Sequence, residues 1–260
     1  MASGEERMTG ATLPVFRTAF VSWRDGLAAL RNMPAIAAIV FVAIAVDTTT
    51  DEVSRFETAP ETTVLLQFAR FAVSLFILSV ALAPAAIAIN RYVLLGETAR
   101  SYALDISSRR LRRFCGYSAL INVLILSPLM VAEVPWDVYV ASAVIVLTLV
   151  AIAVVVATWI LFPAIAVDAP GANLRNAVRD TRFFRALAIS FVTFFPALVA
   201  GFLIEALWQE TPIPSTSGWI LFDLGIAAVN SVAFVAFAAM SSHLYRAWAV
   251  RLLQPSGGVN

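Results

Sequence analysis

Long apolar runs alternate with short polar segments along this chain, and each run is close to the length of a membrane-crossing helix. A bilayer core of about 30 Å requires about 20 apolar residues in a helix. The pattern therefore predicts an all-α, polytopic membrane bundle of six transmembrane helices, forming a single membrane domain over residues 1–260. The predicted spans lie at about residues 32–50, 66–90, 114–133, 138–167, 186–207 and 219–244.

Residues 13–32 carry an amphipathic pattern, which predicts an interfacial helix in the plane of the lipid headgroups. Its apolar positions recur with helical spacing: Phe16, Phe20, Trp23, Leu27 and Leu30. Arginines recur every seven residues beside them: Arg17, Arg24 and Arg31. A second basic amphipathic segment follows Asn173, whose side chain suits a helix N-cap.

Arginine placement predicts the orientation, because cytoplasmic loops of membrane proteins are enriched in basic residues. The N-terminal segment, the second-to-third and fourth-to-fifth connections and the C-terminal tail are rich in arginine, whereas the other side has only Arg55 and Arg70. Loops on that other side are acidic instead: Asp47, Asp51, Glu52, Glu57, Glu61, Glu133, Asp137 and Glu210. We therefore expect both termini to lie in the cytoplasm.

Composition supports a membrane protein, since 60% of the residues are hydrophobic and only 13% are charged. Soluble domains carry roughly 25% charged residues. A net charge of +1 gives no reason to expect a nucleic-acid partner. All basic residues are arginine, which we interpret as the coding bias of a bacterium, so the expected location is a bacterial inner membrane. Charged residues precede any long apolar run, so we expect no cleavable signal peptide.

The segment Asn90–Glu97 resembles a known turn, because an Arg-aromatic-Val-Leu-Leu-Gly-Glu sequence follows a proline-bearing apolar run. It is similar to uncharacterised bacterial six-helix membrane proteins, which are similar to the membrane domain of membrane-anchored glycerophosphodiester phosphodiesterases. The run Pro163–Val167 and the basic segment after it fit the same pattern. Asn90 departs from it, since that family often has histidine there. The resemblance implies the membrane fold, and the phosphodiesterase activity belongs to a separate soluble domain that is not carried over.

Arginines beside the predicted spans are candidates for binding lipid headgroups, because basic segments near the membrane attract anionic lipid. The candidates are Arg91, Arg109, Arg110, Arg112, Arg113, Arg175, Arg179 and Arg182. The alternative is local and structural. Arg91 then reaches the interface, Gly96 ends its helix as a C-terminal cap, and Glu97 pairs with a nearby arginine.

Arg70, Glu205 and Asp223 lie at the outer ends of three different predicted spans and form a candidate outer-leaflet ion-pair cluster. A charge near the membrane interior costs several kcal/mol unless it is paired. We therefore predict that Arg70 faces the bundle and pairs with Glu205 or Asp223. A sealed pair favours a scaffold, whereas a water-filled cavity favours transport.

No residue pattern indicates catalysis, a metal site or a cofactor. Cys115 is the single cysteine and His243 the single histidine, and no acidic residue is near His243 in the sequence. We expect His243 to cap the last helix instead. The leading prediction is a non-enzymatic accessory or scaffold protein with a basic cytoplasmic surface, whose partners are membrane lipids, chiefly anionic ones. The alternative is a small permease or channel with an outer-leaflet polar cavity, and the protein partner stays open.

Overall fold

The computed structural model describes residues 13–57, 64–132, 138–210 and 216–254, and these residues form α-helices and short connections without strands. The helices in chain order are α1 (Val15–Asn32), α2 (Pro34–Glu57), α3 (Val64–Leu95), α4 (Arg109–Ala132), α5 (Val138–Ala166), α6 (Leu174–Asp180), α7 (Phe183–Glu210) and α8 (Thr216–Trp248). The all-α prediction is confirmed, and apart from their ends the six predicted spans fall on α2, α3, α4, α5, α7 and α8. Most of the acidic residues predicted for the outer loops lie outside the set of residues whose side chains the structure describes.

Four helices are long and apolar enough to cross a membrane, which indicates a membrane protein. They are Ala69–Leu95, Tyr139–Ala166, Phe183–Trp208 and Gly218–Trp248. The pair α1 and α2 bends by 105° at its junction and adds a fifth candidate if the two count as one broken span. The predicted span at 114–133 lies in α4, which is not among the candidates found in the described residues. The described residues therefore contain four to five candidate spans, fewer than the six predicted.

Helix α8 is the centre of the bundle, because α1, α2, α3, α5 and α7 all pack against it. Small residues let helix backbones approach closely in a membrane protein. A Cβ atom added at Gly26 of α1 would lie only 3.1 Å from the backbone of Ala236 in α8. The buried face of α8 is correspondingly rich in small side chains: Ala227, Ser231, Ala236, Ala239 and Ser242.

Helix α1 forms where residues 13–32 predict it, but its two faces have different surroundings. Its small residues are buried in the bundle: Thr18, Ala19, Ser22, Gly26 and Ala29. Its two phenylalanine side chains point outward, with Phe16 77% and Phe20 71% exposed. Trp23 donates its indole N–H to the carbonyl of Thr193 at 2.9 Å, which joins α1 to α7. The helix is therefore docked on α7 and α8 through its small residues and Trp23, and it presents its two phenylalanines outward.

The outer surface of the bundle is strongly apolar, and the buried residues combine many alanines and serines with large aliphatic side chains such as Ile160 and Leu161. Large apolar side chains stand exposed along α5 and α7, including Leu149 at 62% and Phe202 at 70%. A soluble protein rarely exposes such a continuous apolar surface. A hydrocarbon environment accounts for it, because apolar side chains lose nothing by facing lipid.

Candidate functional site

The arginine-rich end of the bundle comprises the last turns of α3, α5 and α8, the first turn of α4, and α6. The turn after α3 has the geometry that its sequence suggests. Gly96 adopts a left-handed φ of 72°, and its N–H donates to the carbonyl of Tyr92 at 2.9 Å. Arg91 pairs with Glu97 at 2.5 Å. The structural alternative therefore accounts for this turn without a bound lipid.

Several arginines at this end donate to backbone carbonyls near the last turns of helices, which lack partners within their own helix. Arg91 donates to the carbonyl of Ala166 at the end of α5, at 3.0 Å. Arg246 donates to that of Val93 in the last turn of α3, at 2.8 Å. Arg251 donates to that of Arg179 in α6, at 3.1 Å. These contacts also place a positive charge at the negative end of each helix dipole.

The first turn of α4 is joined to the loop between α5 and α6. Arg113 donates to the carbonyl of Ala172, and Arg110 forms an ion pair with Asp168. The Nε–H of Arg110 also donates to Asp168 at 3.2 Å. The guanidinium of Arg110 holds the pKa of Asp168 below its usual range, mainly through this side-chain hydrogen bond. The two basic segments that are separate in the sequence thereby form one surface.

Helix α6 is capped as predicted, because the side chain of Asn173 accepts a hydrogen bond from the N–H of Asn176 at 2.9 Å. The segment after α8 runs alongside it. The carboxylate of Asp180 accepts from the backbone N–H of Arg251 at 2.7 Å, and the N–H of Gly171 donates to the carbonyl of Leu252 at 3.1 Å. A Cβ atom at Gly171 would lie 2.4 Å from the carbonyl oxygen of Arg251, so this close approach requires glycine.

Five of the eight candidate headgroup-binding arginines remain exposed: Arg109, Arg112, Arg175, Arg179 and Arg182. Within the described residues, their guanidinium groups make no ion pair or hydrogen bond. Exposed apolar side chains accompany them, with Ile106 at 68% and Phe184 at 84% exposure. Arg91, Arg110 and Arg113 are instead held by partners inside the protein. The exposed five form a mixed basic and apolar surface.

The single histidine has an acidic partner that the sequence alone did not reveal. The Nε2 of His243 on α8 lies 3.0 Å from the carboxylate of Asp25 on α1. Asp25 also pairs with Arg24 at 2.9 Å. Nearby, the hydroxyl of Ser242 donates to the side-chain oxygen of Asn90 at 2.8 Å, and both side chains are buried. These contacts join α1 and α3 to α8, which gives His243 a structural role between helices.

Arg70 lies in a groove between α2 and α3 with a volume of about 680 Å³. Asp47 and Ser74 also line this groove, and the Ser74 hydroxyl donates to the Asp47 carboxylate at 2.8 Å. Arg70 is exposed and, among the described residues, has no ion pair. The prediction that Arg70 pairs with Glu205 or Asp223 is therefore wrong.

The three charges of the predicted outer cluster have three different surroundings. Glu205 lines a second groove, between α7 and α8, with a volume of about 590 Å³. Asp223 is buried on α8 with 5% exposure, whereas Arg70 stands exposed on α3. The helix arrangement separates Arg70 from Glu205, because α3 packs on α1, α2, α4, α5 and α8, whereas α7 packs on α1, α5 and α8. Position near the end of a span does not bring these side chains together.

No family model, curated protein or solved structure matches this chain. The resemblance of the Asn90–Glu97 turn to six-helix membrane proteins therefore stays a prediction. What the chain does has to be argued from its own surfaces. Two are distinctive: the exposed arginines at one end and the open grooves toward the other.

Proposed function

We propose that this chain is a non-enzymatic integral protein of a bacterial cytoplasmic membrane that binds anionic lipid at its arginine-rich end. In this proposal the arginine-rich end and both termini lie in the cytoplasm. The protein acts as an accessory or scaffold, which holds anionic headgroups beside the bundle for a partner. The exposed arginine group, defined as Arg109, Arg112, Arg175, Arg179 and Arg182, carries the proposal.

The contacts of the neighbouring arginines support this assignment. Arg110 and Arg113 fix the first turn of α4 against the loop before α6, so the exposed group is held on a connected framework. Exposed arginines beside exposed apolar side chains suit the boundary between headgroups and acyl chains. Each basic side chain near an anionic surface contributes about 1 kcal/mol to attraction. Five such side chains provide a strong combined attraction.

The six-span topology belongs to the same proposal. Helix α4 runs between α3 and α5 in the chain and packs against both of them. Its residues after Phe114 are largely apolar as far as Ala132. If α4 and α2 cross together with the four long apolar helices, all of the arginine-rich connections fall on one side. That arrangement satisfies the enrichment of basic residues in cytoplasmic loops.

The test replaces the exposed arginine group with glutamine and measures which lipids copurify with the protein in mild detergent. We expect the ratio of anionic lipid to phosphatidylethanolamine to fall strongly, and high salt to have the same effect on the native chain. The matched control replaces the same five residues with lysine, which preserves the charge but not the planar guanidinium. The lysine variant should keep most of the anionic lipid. Unchanged retention in the glutamine variant would contradict the proposal.

The alternative is a permease or channel with a single outer polar cavity near Arg70, Glu205 and Asp223. Among the described residues these three side chains do not share a cavity, since Arg70 and Glu205 line different grooves and Asp223 is buried. The scaffold is therefore the better-supported function. The groove with Glu205 raises a separate question of ligand binding.

A further inference from the structure

The groove between α7 and α8 combines an apolar wall with a charge near one end. Phenylalanine rings line much of it: Phe194, Phe202, Phe234 and Phe237. The floor is partly open because Gly201 has no side chain, and a Cβ atom there would meet no atom within 4 Å. From Phe194 to Glu205 the groove follows α7 for roughly 16 Å at the helical rise. A long apolar chain could lie along it.

Glu205 gives this groove its polarity. The residue lies near the last turn of α7, and its side chain is exposed in the groove. Among the residues that the structure describes, no arginine or histidine lines the groove. Among the described residues Glu205 also has no ion pair or hydrogen bond. A carboxylate beside apolar surface near the membrane is costly unless a cation accompanies it.

We propose that this groove binds an amphiphilic cation, with its ammonium head at Glu205 and its alkyl tail along the phenylalanine rings. The carboxylate supplies the opposite charge, and aromatic faces attract a cation through their negative π-surfaces. Asn230 lies beside the path of the tail and offers a polar contact without charge. The ligand enters from the lipid side, where the groove is open.

A phospholipid fits this groove poorly, for a reason of charge. Its phosphate would be placed next to Glu205, and the described part of the lining provides no cationic side chain to bind that phosphate. The groove between α2 and α3 carries side chains of both positive and negative charge, since Arg70 and Asp47 both line it. The purely acidic groove therefore selects a cation that lacks a phosphate. This inference does not depend on the proposed role of the exposed arginine group.

The test uses the full chain in phosphatidylcholine nanodiscs and measures saturable binding of dodecyltrimethylammonium, after partition into empty nanodiscs is subtracted. Uncharged dodecanol and anionic dodecyl sulfate are the comparison ligands. We expect saturable binding for the cation only. Glu205→Gln, which removes the charge but keeps the shape, should raise Kd roughly tenfold. Gly201→Leu should fill the groove and abolish the binding.

Two control variants separate the groove from general effects on folding. Gly116→Leu adds the same side chain to α4, where a Cβ atom also meets nothing within 4 Å. Arg70→Gln removes a charge from the other groove. Both should bind the cation like the native chain. The proposal is overturned if the native chain shows no saturable binding, if Glu205→Gln binds equally well, or if dodecanol or dodecyl sulfate binds as tightly. Glu205→Gln keeps the test decisive even if Gly201→Leu does not fold.

Discussion

The two ends of this bundle use charge in opposite ways. At the arginine-rich end, Arg91, Arg246 and Arg251 donate to the last carbonyls of neighbouring helices. Toward the opposite end, Arg70 and Glu205 lie in separate grooves and make no ion pair with any described residue. Three arginines thus connect helices at one end, beside the exposed arginine group, whereas no described partner connects Arg70 or Glu205 to another helix. A charge near a membrane boundary does not reveal which of these roles it has.

The strongest test of this difference compares two glycines. Gly171→Ala should destabilise the protein by about 3 kcal/mol, because its Cβ atom would overlap the carbonyl oxygens of the segment after α8. Gly201→Ala should leave stability unchanged or slightly higher, because its Cβ atom meets open space and alanine favours a helix. Thermal unfolding in detergent measures both. Equal stability of the two variants would show that the segment after α8 is not held closely.

A smaller effect distinguishes capping arginines from exposed ones. Arg246→Gln should lower the free energy of unfolding by about 1 kcal/mol. The substitution removes a charged side chain that donates to a carbonyl in the last turn of α3. Arg109→Gln should change stability very little, because surface charges without partners contribute little to folding. Chemical unfolding of the two variants in the same detergent gives the comparison. A larger loss of stability for Arg109→Gln than for Arg246→Gln would contradict the roles assigned to these residues.

The smallest effect concerns pH and the Arg110–Asp168 ion pair. Asp168→Asn should lower the free energy of unfolding by about 0.5 kcal/mol at neutral pH. The effect is small because the ion pair is partly exposed and screened by solvent. The pKa of Asp168 is lowered in the folded protein by Arg110, so its contribution is present above the unfolded-state pKa of about 3.9. That contribution is lost as the pH falls through the lower, folded-state pKa. Unfolding curves of the native chain and the variant should therefore converge in acid. Divergence there would contradict the assignment.

The sequence predicted the features that depend on local pattern. Apolar run length located the long helices, and Asn173 and Gly96 followed from capping preferences. The amphipathic pattern of residues 13–32 predicted α1, but the buried face of this helix consists of its small residues. The signal for that face was present, because small residues recur at Thr18, Ser22 and Gly26 with helical spacing.

The features that the sequence did not predict depend on which helices are neighbours. Asp25 and His243 are far apart in the chain and meet only because α1 packs on α8. Arg246 finds its carbonyl partner on α3 because α3 also packs on α8. The predicted outer ion-pair cluster is wrong because its charges lie on helices that do not bring them together. Arg70 and Glu205 share a position near the ends of spans but lie in different grooves.

Membrane orientation is the most direct test of the central claim, which is that the arginine-rich end faces the cytoplasm and the grooves with Arg70 and Glu205 lie toward the other side. A reporter that is active only in the cytoplasm can be fused after Asn260, and the same reporter can be inserted at Thr58, between α2 and α3. We predict activity at Asn260 and none at Thr58, with the reverse for a reporter that is active only outside the cytoplasm. Cytoplasmic activity at Thr58 would contradict both the six-span topology and the assignment of the two ends.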